Sequence, residues 1–415
     1  MGQSPAGTTC NTDGIGIPLL NGPTEFGSHH PSAIQFTTDA KRYAKPGDIL
    51  FCVRGSTTGR MNWADRVYAI GRGIGAIRHK QGVEYQPLVR GVIECELSDL
   101  LTQATGSTFP NVSASQLSKI RWPALEDAEQ RRIAHILGTL DDKIENNRKT
   151  AKTLEAMAQA IFKSWFVDFD PVRAKMAGES RESICKRLKL TPEILDLFPD
   201  RLVDSELGEI PEGWGVGMLD NLAALVTDST SPGRSPHTVF EHYSIPAFDA
   251  GRTPAMELGE SIKSNKYVVK DRAVLVSKLN PHTPRIWLPA NGDGAAICST
   301  EFMQFVPHER EDRPYLYCLM ISQSMQEEVL KHVTGSTGSR QRAQPSQIAK
   351  VKILSPQSCV KKVFTHQASP LLHAVAENLT ASRTLAALRD ALLPRLISGE
   401  IRVADTHGCS KEILV

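Results

Sequence analysis

The feature that most constrains the fold is a long helical pattern that occurs twice in the chain. From 126 to 167 the sequence contains one glycine, Gly138, and no proline, and its apolar residues advance by alternating steps of four and three. This spacing is a heptad seam, and it predicts a helix of about 60 Å that pairs with another helix. The predicted pairing positions are Leu137, Leu140, Ile144, Asn147, Leu154 and Ile161.

The second copy of the helix lies near the C-terminus. Asn147 recurs as Asn378, an offset of 231, and a polar residue in a seam can set the register of two helices. The alternative is that both asparagines are solvated. Ser382 and Arg389 interrupt the second seam and weaken it. Because a whole domain separates the copies, an antiparallel pair is the simplest way to bury both seams. The predicted pairing positions here are Val375, Asn378, Leu385 and Leu392.

The segments that precede the two helices are also related, but only in outline. The buried strand at 49–51 corresponds to 274–276, an offset of 225. The Thr-Gly-Ser-Thr turn at 105–108 recurs at 334–337, an offset of 229. Close agreement in the helices and loose agreement before them indicate one scaffold that is used twice to present two different recognition surfaces.

Composition indicates a soluble protein with several domains. The chain has 415 residues, of which 40% are hydrophobic and 23% charged, and its net charge is +2. No apolar stretch approaches the roughly 20 residues of a membrane span, and the N-terminus does not resemble a signal peptide. Eight scattered cysteines include no Cys-x-x-Cys pair, which favours reduced thiols over a zinc site. We therefore expect a cytoplasmic protein.

These patterns predict an α+β protein with an internal pseudo-twofold repeat. Two mixed α/β recognition domains would be separated by two long antiparallel helices that form a coiled coil. The predicted segments are a first recognition domain at 1–125, a first spacer helix at 126–170, a connector at 171–203, a second recognition domain at 204–358, a second spacer helix at 359–400 and a tail at 401–415.

Local motifs, taken together and in order, resemble the specificity subunit (HsdS) of type I restriction-modification systems. The resemblance covers nearly the whole chain. It rests on MGQSP at 1–5, LLNGPTEFG at 19–27, GDILFCVRGS at 47–56, EQRRIA at 129–134, SWFVDFDP at 164–171, GEIPEGW at 208–214, VLVSKLNP at 274–281 and LPRLISGEI at 393–401.

The resemblance implies a DNA-binding subunit without chemistry of its own. Two target-recognition domains would each read one half of a bipartite site in double-stranded DNA, and the paired helices would set the gap and dock partners. Those partners would be modification methyltransferase subunits, expected as two copies, and restriction/translocase subunits. No cofactor is expected in this chain, because S-adenosylmethionine and ATP with Mg²⁺ would be bound by the partners.

Candidate DNA contacts lie in loops that combine basic groups with small hydroxyl and amide donors, the groups that meet phosphates and base edges. Two of these loops leave buried strands directly, so a rigid element directs them. The candidate residues are Arg54, Ser56, Thr57, Thr58, Arg60, Ser107, Thr108, Lys278, Asn280, Ser336, Thr337, Ser339, Arg340, Gln341 and Arg342. The alternative is a set of solvated loops that make no contact.

Two other interpretations of the chain remain open. One is a self-contained DNA-modifying enzyme, although no Walker motif and no Asn-Pro-Pro-Tyr-like tetrapeptide is found. The other is a truncated or decayed copy that acts only as a structural or subunit-binding spacer. The second half contains IPEGW at 210–214, whereas the first half begins close to its equivalent, so the repeat predicts a shortened N-terminus. The alternative is that the chain is a natural variant, in which the C-terminal segment takes the place of the missing N-terminal segment.

Overall fold

The structure is a computed structural model that describes residues 1–27, 29–104, 110–290, 295–335 and 341–403. The chain forms two compact units. Unit 1 comprises Met1–Asn146 together with the chain from Ser382 onward, and unit 2 comprises Asn147–Ala381. Each of two long helices contributes to both units. The predicted scheme differs here, because it kept each long helix as a separate segment.

Unit 1 begins with short strands, followed by helices. The strands are β1 Cys10–Asn11, β2 Ile17–Leu20, β3 Gln35–Thr37, β4 Tyr43–Ala44, β5 Ile49–Cys52, β6 Met61–Trp63, β7 Tyr68–Ile70 and β8 Ile74–Ile77. The helices are α1 Gln86–Thr102, α2 Ala114–Leu117 and α3 Asp127–Phe166, the last of which continues into unit 2. The predicted helix at 126–167 agrees with α3 to within one residue at each end.

Unit 2 opens with the segment that was predicted as a connector. It contains the helices α4 Asp170–Met176, α5 Arg181–Leu188 and α6 Pro192–Leu195. Phe169 separates α3 from α4 in a left-handed conformation with φ 54°, and Pro171 then lies in the first turn of α4, where its missing N–H is tolerated. The connector is part of the unit 2 core, because Val172, Ile184 and Phe198 are buried in it.

The rest of unit 2 is mixed. Its strands are β9 Leu202–Ser205, β10 Gly208–Pro211, β11 Gly215–Met218, β12 Ala223–Val226, β13 Ser229–Thr230, β14 Val239–Tyr243, β15 Ala255–Leu258, β16 Lys266–Val268, β17 Val274–Ser277, β18 Ile286–Trp287, β19 Ala296–Ser299, β20 Phe302–Pro307, β21 Val333–Thr334, β22 Arg342–Ala343 and β23 Lys352–Ser355. Its helices are α7 Leu219–Leu222, α8 Ile245–Asp249, α9 Arg313–Ile321, α10 Gln323–Lys331, α11 Pro345–Ile348 and α12 Ser358–Ile397, the last of which continues into unit 1.

The main sheets of the two units share their strand order. Among the described residues, unit 1 has β1-β3-β2-β7-β4 and unit 2 has β13-β16-β19-β14-β15. Within these, β3-β2-β7-β4 matches β15-β14-β19-β16, with antiparallel, parallel and antiparallel pairings in both. The fifth strand differs, since β1 pairs with β3 whereas β13 pairs with β16 at the opposite edge. The second sheets also correspond, as β6-β5-β8 and β18-β17-β20, and β12 extends the latter.

Helix α1 forms the centre of the unit 1 core. Val89 and Ile93 pack on the second sheet, with Ile49 and Phe51. The adjacent face of α1 packs on both long helices in a cluster of Leu88, Val92, Ile133, Ala134, Leu137, Leu393 and Leu396. Gly91 permits this close approach, since an added Cβ would lie 2.5 Å from the Leu393 side chain.

The two long helices contact each other with opposite chain directions inside each unit. In unit 1, Leu137 near the start of α3 shares a cluster with Leu393 near the end of α12. In unit 2, Phe162 and Trp165 near the end of α3 pack against Phe364 near the start of α12, with ring centroids 5.8 and 6.2 Å apart. Each helix is 40 residues long and contributes apolar residues to the core of each unit.

The predicted pairing positions are buried to different degrees. Leu137, Ile144, Asn147 and Val375 are buried, whereas the remaining positions are half-buried, namely Leu140, Leu154, Ile161, Asn378, Leu385 and Leu392. The Asn378 side-chain amide donates to the carbonyl oxygen of Ala374, one turn earlier, at 2.8 Å. The register role of the two asparagines stays a prediction.

Ser382 and Arg389, which were expected to weaken the second seam, both bond across to α3. The Ser382 hydroxyl donates to the backbone oxygen of Ile144 at 3.4 Å, and Arg389 pairs with Asp141 at 2.6 Å. The two polar groups thus meet polar partners on the facing helix, which offsets part of the cost of burying them, and the weakening of the seam stays a prediction.

Candidate nucleic-acid interface

In unit 1 a buried strand presents the first predicted DNA-contact loop. Strand β5 is fully buried, and the loop at 53–60 joins it to β6. The amide of Cys52 donates to the Arg60 oxygen, and the amide of Gly59 donates to the Cys52 oxygen, both at 2.9 Å. Gly55 and Gly59 have φ of 98° and 92°, values that favour glycine. The loop therefore starts and ends on a rigid base.

The described end of the second predicted loop lies beside the first. The Val112 amide donates to the Val53 oxygen at 2.8 Å, and the Thr58 hydroxyl donates to the Pro110 oxygen at 2.8 Å. Of the predicted contacts, Arg54, Ser56 and Thr57 are exposed and Thr58 is half-buried. Ser107 and Thr108 lie outside the described residues.

Unit 2 joins its two predicted loops in the same way. After β17, the Asn280 amide donates to the Gln341 oxygen at 3.0 Å, and the Ala343 amide donates to the Lys278 oxygen at 2.9 Å. Asn280 is left-handed with φ 48°. Lys278, Asn280, Gln341 and Arg342 therefore surround one place in the fold. Ser336, Thr337, Ser339 and Arg340 lie outside the described residues.

The loop pairs of the two units occupy equivalent positions. The backbone bond between Val112 and Val53 corresponds to the bond between Ala343 and Lys278, with the same offsets of 231 and 225 that relate the helices and strands. The isolated bridge of Arg54 with Asn111 likewise corresponds to that of Leu279 with Arg342. The backbone frame is thus the same, whereas the side chains that it presents differ.

The cationic side chains at these loops have different partners. Arg342 is held by Glu301, with its Nε 3.0 Å from one carboxylate oxygen and its Nη2 3.2 Å from the other. These hydrogen bonds and the negative charge raise the pKa of the Arg342 guanidinium, which stays charged. Arg54 and Lys278 form no ion pair with any residue that the structure describes. Glu301 was not among the predicted site residues, and no local motif indicates it.

Arg60, a predicted contact, donates to its own chain. Its Nη1 and Nη2 lie 3.3 and 3.0 Å from the backbone oxygens of Pro23 and Phe26, and its guanidinium lies over the Phe26 ring. The equivalent residue of unit 2, at the offset of 225, is Arg285, which binds both carboxylate oxygens of Asp249 at 2.7 and 2.9 Å. The sequence prediction omitted Arg285, although the offset of the repeat was sufficient to find it.

The described parts of the chain contain no group of three or more histidine, cysteine, aspartate or glutamate side chains that could hold a metal ion. None of their helices is both long and apolar enough to cross a membrane. The loops present hydrogen-bond donors, acceptors and positive charges on a rigid frame. Such a set can bind a polyanion and distinguish base edges.

Comparison with known proteins agrees with this chemistry. Residues 6–156 match the family model "Type I restriction modification DNA specificity domain". The chain is 25% identical over 348 residues to the type I restriction enzyme HindI specificity subunit of Haemophilus influenzae. The alignment covers 74% of this chain and 74% of that protein. It is 27% identical over 314 residues to the MjaIX specificity subunit of Methanocaldococcus jannaschii, which covers 72% of this chain and 65% of that protein.

A solved structure shares the fold. The S subunit of a type I restriction-modification system from M. genitalium superimposes with a TM-score of 0.51, at 14% identity. The match covers 95% of this chain and 92% of that subunit. The likeness therefore includes both halves of the chain.

Proposed function

This chain belongs to the family of type I restriction-modification specificity subunits, and we propose that it recognises a bipartite DNA sequence with one recognition domain in each unit. The observation that carries the proposal is the pair of loops that each unit builds at the end of a buried strand, β5 or β17. Both pairs rest on equivalent backbone hydrogen bonds, so two different surfaces are presented on one frame. Two different half-sites are the natural ligands of such a duplicated frame.

The side chains suit contacts with both the phosphates and the bases. Arg54 and Lys278 supply positive charge, which binds phosphate and makes affinity depend on salt. Asn280 and Gln341 carry amides, which can donate to and accept from a base edge at once. Ser56 and Thr57 add hydroxyls on the unit 1 loop. The predicted contacts outside the described residues, Ser107, Thr108, Ser336, Thr337, Ser339 and Arg340, belong to the same proposal.

We further propose that the chain itself is not catalytic. Methyltransferase subunits, two in number, would bring S-adenosylmethionine, and restriction/translocase subunits would bring ATP and Mg²⁺. The net charge of +2 supports a shared interface, because a chain so close to neutral gains affinity when partners supply further cations around the DNA.

The paired helices would act as the spacer between the two half-sites. Helices α3 and α12 each contain 40 residues, or about 60 Å at the usual rise, and they contact each other in both units. A coiled coil of this length is stiff, so it would hold the gap in the DNA target constant.

Selection from a random DNA pool tests the proposal. The chain, in complex with its methyltransferase partner, would be incubated with the pool at several salt concentrations, and the retained DNA sequenced. We expect two short conserved blocks at a constant distance, with retention that falls steeply as salt rises. A single continuous block, or no enrichment at all, would contradict the proposal.

A further inference from the structure

The loop of each unit closes on an arginine. In unit 1 the Cys52 amide donates to the backbone oxygen of Arg60, and in unit 2 the Ser277 amide donates to that of Arg285, both at 2.9 Å. Residues 60 and 285 are thus the same position of the repeated frame, at the point where the proposed DNA-contact loop returns to the sheet.

Both guanidinium groups are directed at a segment of their own unit that follows the second strand of the main sheet. Arg60 binds the backbone oxygens of Pro23 and Phe26, in the turn after β2. Arg285 binds the carboxylate of Asp249 at the end of α8, after β14, and its side chain is only 12% exposed. The partners differ between the units, but both guanidinium groups bond to the segment that follows the corresponding strand, β2 or β14.

In unit 2 the anchor continues to the long helix. Just beyond Asp249, Arg252 lies in a left-handed conformation with φ 57°. Its Nη1 and Nη2 each donate to one carboxylate oxygen of Glu155 on α3, at 2.8 Å, and Nη2 also donates to the Tyr317 hydroxyl at 2.6 Å. The Tyr317 hydroxyl in turn donates to Glu155.

The cluster of Arg252, Glu155 and Tyr317 is largely buried, and its positive and negative charges are paired. Burial alone would raise the pKa of Glu155, but the hydrogen bonds and charge of Arg252 outweigh it, and the pKa is lowered. The side chains of Arg252 and Glu155 are 26% and 18% exposed. Because a charge in such a place must keep its partner, the geometry of the α8 turn is fixed relative to α3.

We propose that Arg60 and Arg285 are positioning residues that hold the two DNA-contact loops in their reading geometry, and that Asp249, Arg252 and Glu155 extend this anchor to α3 in unit 2. The inference rests on the proposed function, since it takes the loops to be the DNA contacts. It assigns to Arg60 the role of an anchor in place of a direct contact.

Arginine suits this task because its planar guanidinium makes two fixed hydrogen bonds at once, whereas lysine offers a single flexible charge. A lysine at position 60 or 285 would keep the positive charge that a phosphate contact needs and lose the paired bonds that an anchor needs. The two roles therefore respond differently to the same substitution.

The experiment uses the full chain in complex with its methyltransferase partner, with the wild-type target first defined by selection. Binding is measured on that target and on duplexes with a single mismatch in either half-site. We expect Arg60→Lys to reduce discrimination by about tenfold in one half-site only, and Arg285→Lys to do so in the other. Asp249→Asn should reproduce Arg285→Lys, with no further loss in the double variant, and Glu155→Gln should affect the same half-site.

Asp196→Asn is the matched control, because it removes the partner of Arg181 in an exposed ion pair of unit 2 at 2.6 Å. Thermal unfolding of every variant separates misfolding from mispositioning, and Tyr317→Phe is a milder alternative should Glu155→Gln fail to fold. Equal loss in both half-sites would overturn the inference. Full discrimination in Asp249→Asn beside a loss in Arg285→Lys would also overturn it, by making the arginine a direct contact. Absence of sequence-specific binding by the wild type would instead refute the proposed function.

Discussion

The Arg389 guanidinium of α12 donates to the Asp141 carboxylate of α3 at 2.6 Å, on the face where the two long helices meet. Burial alone would lower the pKa of Arg389, but its bonds to Asp141 and Asp390 outweigh this and raise it. Only 20% and 14% of the two side chains is exposed. A charged pair thus occupies a place in the helix interface, where the sequence pattern showed only that Arg389 interrupts the apolar seam.

Asp141→Asn should therefore destabilise unit 1. The variant leaves a half-buried guanidinium without its full partner, and we expect a loss of about 1–2 kcal/mol, below the cost of breaking a fully buried pair. The midpoint of urea unfolding measures it. Asp390→Asn is the control, because Asp390 also contacts Arg389 but is 62% exposed, so its loss should stay under about 0.5 kcal/mol. Equal effects of the two variants would contradict this account of the pair.

Arg54→Ala and Lys278→Ala should each weaken DNA binding and make it less dependent on salt. Each variant removes one positive charge from a proposed contact loop, so the slope of log K against log salt should fall by about one. Fluorescence anisotropy with a labelled target at several salt concentrations provides the slope. Lys186→Ala on α5 removes an exposed charge that lies outside the loops, and an unchanged slope is expected.

Glu301→Gln should increase binding to non-target DNA. The carboxylate now holds Arg342 and places a negative charge beside the unit 2 loops, which repels phosphate. Its removal should raise affinity for random duplexes by about two- to tenfold and lower the pKa of Arg342 toward its ordinary value. Competition with unlabelled random DNA reports the change. If binding to non-target DNA falls instead, the negative charge of Glu301 does not weaken the binding of these loops to phosphate.

Insertion of one heptad into each long helix should lengthen the gap of the target and leave both half-sites unchanged. Seven residues add about 10 Å of helix, which corresponds to at most about three base pairs. Sites next to Asn147 in α3 and Asn378 in α12 keep the seam in phase. Selection from random DNA gives the gap directly. An unaltered gap in a folded double insertion would show that the helices are not the spacer.

The helical part of the fold was predictable because its signal is local and periodic. The absence of proline and the four-and-three spacing predicted α3 to within a residue at each end, and the apolar run at 49–51 predicted β5. The packing of 171–203 was missed because its polar surface conceals a few apolar positions, such as Val172 and Phe198, that are buried by distant residues.

Individual side-chain roles were harder to predict. Arg60 was interpreted as a DNA contact from its loop and charge, and that prediction stays open. The bonds of its guanidinium to the distant turn at 23–26 could not be foreseen, because no local pattern reveals them. Ser382 and Arg389 were expected to weaken the second seam, and their bonds to α3 could not be foreseen because these partners lie on the other helix. The role of a polar side chain depends on partners that are distant in the sequence. An apolar periodicity, in contrast, can be recognised from the local sequence alone.

Mapping of methylated adenines tests the central claim most directly. The chain would be expressed with its methyltransferase partner in a host without adenine methylation, and the genome sequenced at base resolution. We predict one motif with two short half-sites and a constant gap, and altered specificity in a single half-site when the loop of one unit is changed. A continuous motif, or the same methylation after the loops at 54–60 and 278–285 are both replaced, would contradict the account.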